Sequence, residues 1–155
     1  IFPGVVTVIV GLFLEQVAAA VEERHYPEAG PARPQSIPEV LGSTLKFAAV
    51  VVLLNLLAMP LYLVLFFIPG ANLLLYYLLN GYLIGREYYE LVAFRRLPPG
   101  EASRLRRTYR SRVLLAGIVL TFLMTIPVVN LIAPVIGAAF MVHVTHELLR
   151  RAPAR

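Results

Sequence analysis

The chain has 155 residues, 59% of them hydrophobic and 15% charged, with a mean hydropathy of +0.75. An ordinary soluble domain carries about a quarter charged residues, so water is not the main solvent of this protein. The composition excludes a disordered tail, a secreted disulfide-stapled mini-protein and a nucleic-acid-binding domain. A formal charge of +5 does not restore the last of these, because eight arginines fall between Arg86 and Arg112, in the segment that separates the two largest apolar blocks. Such clustering marks a loop held on the cytoplasmic side of a membrane. The sequence contains no cysteine and no aspartate, which removes disulfides, thiolate chemistry and cysteine-based zinc sites. Its length allows one domain, a single membrane domain over residues 1–155.

The chain opens on Ile1, inside an apolar stretch that runs to Leu14. As a helix this stretch is about 21 Å long, short of the roughly 30 Å hydrocarbon core, so residues 1–24 are expected to be the rear of a truncated transmembrane helix that begins upstream. Ala18 and Ala20 resemble a signal-peptide cleavage site, but no basic region precedes the apolar run. Beyond Leu14 the pattern turns amphipathic, with Glu15, Glu22, Glu23 and Arg24 set against Val17, Ala18 and Val21. A connector over residues 25–35, rich in proline and glycine, then breaks the helix. Ser36-Ile37-Pro38-Glu39 reads as a capping box that starts a second helix at Ile37.

From Phe47 to Gly85 no side chain is charged, a run of about 39 residues that exceeds one bilayer crossing and has to fold back. The bend falls at Ile68-Pro69-Gly70-Ala71-Asn72, where Asn72 is placed to cap the next helix. The limb from Leu73 to Gly85 is only about 20 Å long. The same grammar returns in the uncharged run from Val113 to Val142, broken at Ile126-Pro127-Val128-Val129-Asn130. Uncharged turns and short limbs point to re-entrant hairpins whose tips stop inside the membrane, with Asn72 and Asn130 satisfying the freed backbone. The alternative is two pairs of tilted full spans with asparagine as an ordinary cap. Either way residues 24–46, 86–112 and 143–155 share one side, which the arginines make cytoplasmic.

Between the hairpins, residues 101–112 form a basic stretch with Leu105, Tyr109 and Val113 on one face. It reads as an interfacial helix whose Arg104, Arg106, Arg107, Arg110 and Arg112 meet the headgroups of anionic lipids.

The densest polar cluster is Asn80-Gly81-Tyr82-Leu83-Ile84-Gly85-Arg86-Glu87-Tyr88-Tyr89-Glu90. Gly81 and Gly85 form a small-residue pair that admits a neighbouring helix, and Arg86 pairs with Glu90 one turn on. Arg86, Glu87 and Glu90 either line a solute path, together with Asn72 and Asn130, or mark the water interface. His143, His146 and Glu147 share a face but lack a further ligand at metal-site spacing, so no metal and no cofactor is expected. No phosphate loop, nucleophile elbow, acid dyad or H-E-x-x-H is present, and an enzyme reading has nothing to stand on.

The N-G-Y-x-x-G-R-E-Y string at residues 80–88, between the Ile-Pro-x-x-Asn bends at 68–72 and 126–130, resembles the CysZ-like sulfate transporters, in one superfamily with the eukaryotic etoposide-induced membrane proteins. The resemblance implies an all-α, polytopic integral membrane protein in which long transmembrane helices are combined with two hairpins of half-penetrating helices, assembled as a homo-oligomer. Residues 37–96 would be the first hairpin and 113–150 the second. It also implies sulfate or a similar anion as the solute. The family's Gly-Leu-Arg-type anion-binding region precedes this portion, so no residue here inherits it. The expected function is therefore passage of a small oxyanion across the bacterial inner membrane, passive or ion-coupled, with no nucleic acid as partner. The competing expectation is a membrane scaffold or lipid-interacting protein that transports nothing.

Overall fold

The computed structural model describes residues 2–152, with side chains from residue 9 onward. Seven α-helices follow one another: α1 (Phe2–His25), α2 (Ile37–Leu65), α3 (Ala71–Ala93), α4 (Pro99–Thr108), α5 (Arg110–Thr125), α6 (Pro127–Asn130) and α7 (Ala133–Arg151). A single turn of 3-10 helix, Pro27–Ala29, sits in the first connector, and no strand occurs among the described residues.

The connector is strapped to the end of α3 by a backbone bond, Arg33 N donating to Arg95 O at 2.8 Å. Ser36 is the N-cap of α2, yet its side chain makes no cap bond. Glu39 is drawn away from the expected capping box by Arg33, whose Nη1 donates to Oε2 at 3.1 Å. A guanidinium outcompetes a neutral amide for a carboxylate because both partners are charged.

With 29 residues, α2 is about 43 Å long, against about 20 Å counted for the limb from Leu73 to Gly85. Among the described residues it alone is long and apolar enough to cross a membrane. Its only buried residue is Ala58. Leu53, Leu57, Leu63 and Val64 are more than half exposed, so most of α2 has no protein cover. Pro60 lies inside the helix and deprives the carbonyl one turn earlier of its donor.

The two bends close differently from the sequence expectation. At the first, Gly70 takes φ 82°, a left-handed conformation in which a Cβ would be strained, and it serves as the N-cap of α3. Backbone bonds close the bend, Ala71 N donating to Ile68 O at 3.2 Å and Leu74 N to Gly70 O at 3.1 Å. Asn72 therefore lies inside the first turn instead of capping it. At the second, Pro127–Asn130 forms the four-residue α6, with Asn130 N donating to Ile126 O at 2.8 Å. Here α7 starts at Ala133 with Ile132 as its N-cap, so Asn130 caps nothing downstream.

The core is built where helices touch backbone to backbone. A Cβ at Gly85 would meet Val113 O at 2.5 Å, and one at Gly81 would meet Ile118 Cγ1 at 2.6 Å. Gly117 faces both glycines from α5. This is the close approach that small-residue pairs allow. The pairing runs antiparallel, so the bends around Gly70 and Pro127 lie at one end of the α3–α5 pair and the charged residues at the other. Tyr88 lies over Gly137 of α7, and Tyr89, Val92, Leu120, Met141, Val142 and Leu148 fill the centre. Short α4 closes the charged end, anchored by Tyr89 Oη donating to Ala102 O at 2.9 Å.

Candidate functional site

The uncharged part of α3 ends at Gly85, and the next residue, Arg86, is 3% exposed. Its Nε donates to Glu90 Oε1 at 2.7 Å, an (i, i+4) pair. The same carboxylate oxygen stands 4.0 Å from Arg106 Nε, which is buried without a hydrogen-bond partner. Two guanidiniums thus share one carboxylate at the foot of an apolar helix. A buried charge is costly unless paired, and this node is left with one positive charge in excess. The ring of Phe47 on α2 lies 5.2 Å from the Arg86 guanidinium carbon and covers it from the side.

Arg86 faces two cavities. One, about 220 Å³, lies along the start of α5 and is lined by Tyr82, Arg86, Arg106, Arg110 and Ser111 with no carboxylate on its wall. The other, about 580 Å³, opens between α2, α3 and α4. A third, about 340 Å³ and mostly apolar, lies between α1, α2 and α3 and carries Glu15, Glu87 and Glu90. Glu87 is exposed and does not join the Arg86–Glu90 pair.

The structure separates the residues that the sequence groups into one path. Asn72 and Arg86 are fourteen positions apart on α3, about 21 Å along its axis. Asn72 is half-buried with Oδ1 unpaired, and Asn130 is exposed. The basic stretch is also divided, because Tyr109, at φ −110° and ψ 32°, breaks it into α4 and the start of α5. Arg104, Arg107, Arg110 and Arg112 are exposed, but Arg106 is turned inward with its side chain 15% exposed. The buried Ala102 and the packed Leu105 press α4 onto the core, and Arg106 sits on the side that meets Glu90.

A second polar centre escapes the sequence reading. Glu22, 2% exposed on α1, accepts from Arg95 Nε at 3.0 Å, from Arg96 Nε at 2.9 Å and from His146 Nε2 at 3.1 Å. Arg95 also reaches Glu15 at 3.3 Å, and Arg96 Nη1 donates to the carbonyls of Ala29 and Gly30 at 2.9 Å each. The three bonds from His146, Arg96 and Arg95 compensate the buried Glu22 carboxylate. Tyr26 stacks on His146 with ring centroids 4.0 Å apart and hydrogen-bonds His143 Nδ1 at 2.8 Å. Burial, together with the neighbouring His25 and His146, lowers the pKa of His143. The histidines of α7 are thus engaged in tying α7 to α1. No group of three or more metal-ligand side chains occurs among the described residues. One signal for this centre was present: Glu15 and Glu22 lie two turns apart on one face of a largely apolar α1.

An apolar helix left bare of protein, joined to a helix pair that buries arginine at its charged end, defines an all-helical membrane protein. The chain belongs to the sulfate transporter CysZ/etoposide-induced protein 2.4 family, whose model matches residues 1–134. That family is one of membrane transporters and not of enzymes. No curated protein matches the chain, and no solved structure does.

Proposed function

We propose that this protein passes a small oxyanion, sulfate or one of like charge and shape, across the bacterial inner membrane. The observation that carries the reading is the buried Arg86–Glu90–Arg106 node, with its positive excess beside a cavity that Arg110 and Ser111 complete. Buried charges are costly unless paired, and an anion is the partner that such a node lacks. In this reading residues 1–24 are the rear of one long span and α2 supplies another. Residues 71–85 of α3 and the uncharged parts of α5 and α7 are each about 22 Å or less and enter without crossing. Residues 37–96 and 113–150 are then two hairpins with unequal limbs, their bends inside the membrane and the arginine-rich end cytoplasmic. The uncovered length of α2 fits a homo-oligomer in which copies and lipid share that surface.

The test is binding of radiolabelled sulfate to the purified full-length protein by equilibrium dialysis. Wild type is expected to bind, and Arg106→Gln and Arg110→Gln to weaken binding about tenfold or more, while Arg24→Gln on the exposed end of α1 has no effect. Equal binding by all four proteins would remove the node from the path.

A further inference from the structure

We infer that the larger cavity, between α2, α3 and α4, is the seat of one anionic phospholipid headgroup, bound through its phosphate. This assignment stands whichever solute crosses.

Charge is the first argument. The cavity, about 580 Å³, is lined by Lys46 from α2, Arg86 from α3 and Arg104 and Arg107 from α4, against two carboxylates, Glu39 and Glu90. Both carboxylates are already engaged, Glu39 by Arg33 and Glu90 by Arg86. Lys46, Arg104 and Arg107 form no ion pair with any described residue. Three cations from two helices therefore converge on one space without a counter-charge. Guanidiniums present paired donors that match phosphate oxygens, and an ammonium supplies a point charge beside them.

Position is the second argument, and it selects a lipid over a free ion. Lys46 is the last charge before the uncharged run of residues 47–85, and Arg86 is the first after it. The cavity thus straddles the boundary at which the α2–α3 hairpin passes from polar to apolar surface, the level of lipid phosphates. Beside it on α2, Leu41 and Leu45 are 67% and 70% exposed, an apolar surface against which acyl chains can lie. Gly42 and Gly100 also line the cavity, with open space around each. The basic stretch thus does more than orient the chain on a charged surface: with Lys46 it holds a defined ligand.

The experiment is native mass spectrometry of the full-length protein in detergent, titrated with phosphatidylglycerol or phosphatidylcholine, alongside thermal melts in the same lipids and in sodium sulfate or sodium phosphate. The expected result is tight retention of phosphatidylglycerol over phosphatidylcholine, with a raised melting temperature that the inorganic salts do not reproduce. Lys46→Gln/Arg104→Gln/Arg107→Gln is expected to weaken phosphatidylglycerol binding about tenfold or more. The charge-conserving Lys46→Arg/Arg104→Lys/Arg107→Lys should keep most of it, which controls for loss of fold. Equal retention of the two lipids, or unchanged binding in the glutamine variant, would overturn the assignment. So would displacement of the lipid by millimolar sulfate or phosphate, which would give the cavity to a free oxyanion.

Discussion

At the scale of single residues, Glu22 has the widest reach in the described structure, since one carboxylate holds Arg95 and Arg96 beyond α3 and His146 on α7. Removing one partner of a buried ion cluster leaves the others uncompensated, typically at a cost of about 3–5 kcal/mol. Glu22→Gln is therefore expected to lower the melting temperature in detergent sharply, and Glu23→Gln, on the exposed side, to leave it unchanged.

At the scale of elements, the α3–α5 pair is the rigid unit, and its closeness depends on glycine. A Cβ on Gly85 would press on Val113 O at 2.5 Å and on Gly117 Cα at 3.2 Å, both backbone atoms that cannot swing aside. Gly85→Ala and Gly117→Ala should each destabilise by about 1–3 kcal/mol, the usual cost of overpacking, whereas Gly11→Ala, inside α1 with open space around it, should be tolerated or stabilise by up to about 1 kcal/mol. This contact was legible in advance because small residues four apart leave a plain trace in sequence. The starts of α2 and the locations of both bends were legible for the same reason, as proline and glycine punctuate helices locally. The capping roles of Ser36, Asn72 and Asn130 were not. A cap depends on which of several nearby groups wins a backbone or carboxylate partner, and Arg33 and the Gly70 turn decided it. Whether the bends lie in the membrane is open to direct test: cysteines placed at Gly70 and Val128 of the full-length protein should resist membrane-impermeant thiol reagents applied from either side. Ready labelling from the periplasmic face would make the hairpins full spans.

At the scale of the whole molecule, polarity is sorted into two regions. One end of the α3–α5 pair carries uncharged bends, while the other gathers the Arg86 node, the Glu22 centre, the connector and α4. The composition announced that segregation, and the order of charged and apolar runs gave the helix layout. What sequence alone missed was depth in the third dimension. Arg95 and Arg96 meet His146 at Glu22, and Lys46 meets Arg104 and Arg107 across one cavity, from segments far apart in the chain, and nothing in their local spacing reveals it. Arg106 was legible as a cation but not as one facing inward, because a helix periodicity shows which residues share a face and not what that face meets.

The central claim is that the excess positive charge at Arg86 and Arg106 serves a crossing anion, and the most direct measurement is sulfate flux. Full-length protein reconstituted in liposomes that contain phosphatidylglycerol should take up labelled sulfate well above empty vesicles, and Arg106→Gln should reduce the rate about tenfold or more while the protein stays folded. Uptake no greater than that of empty vesicles, or a folded Arg106→Gln protein that transports as fast as wild type, would contradict it.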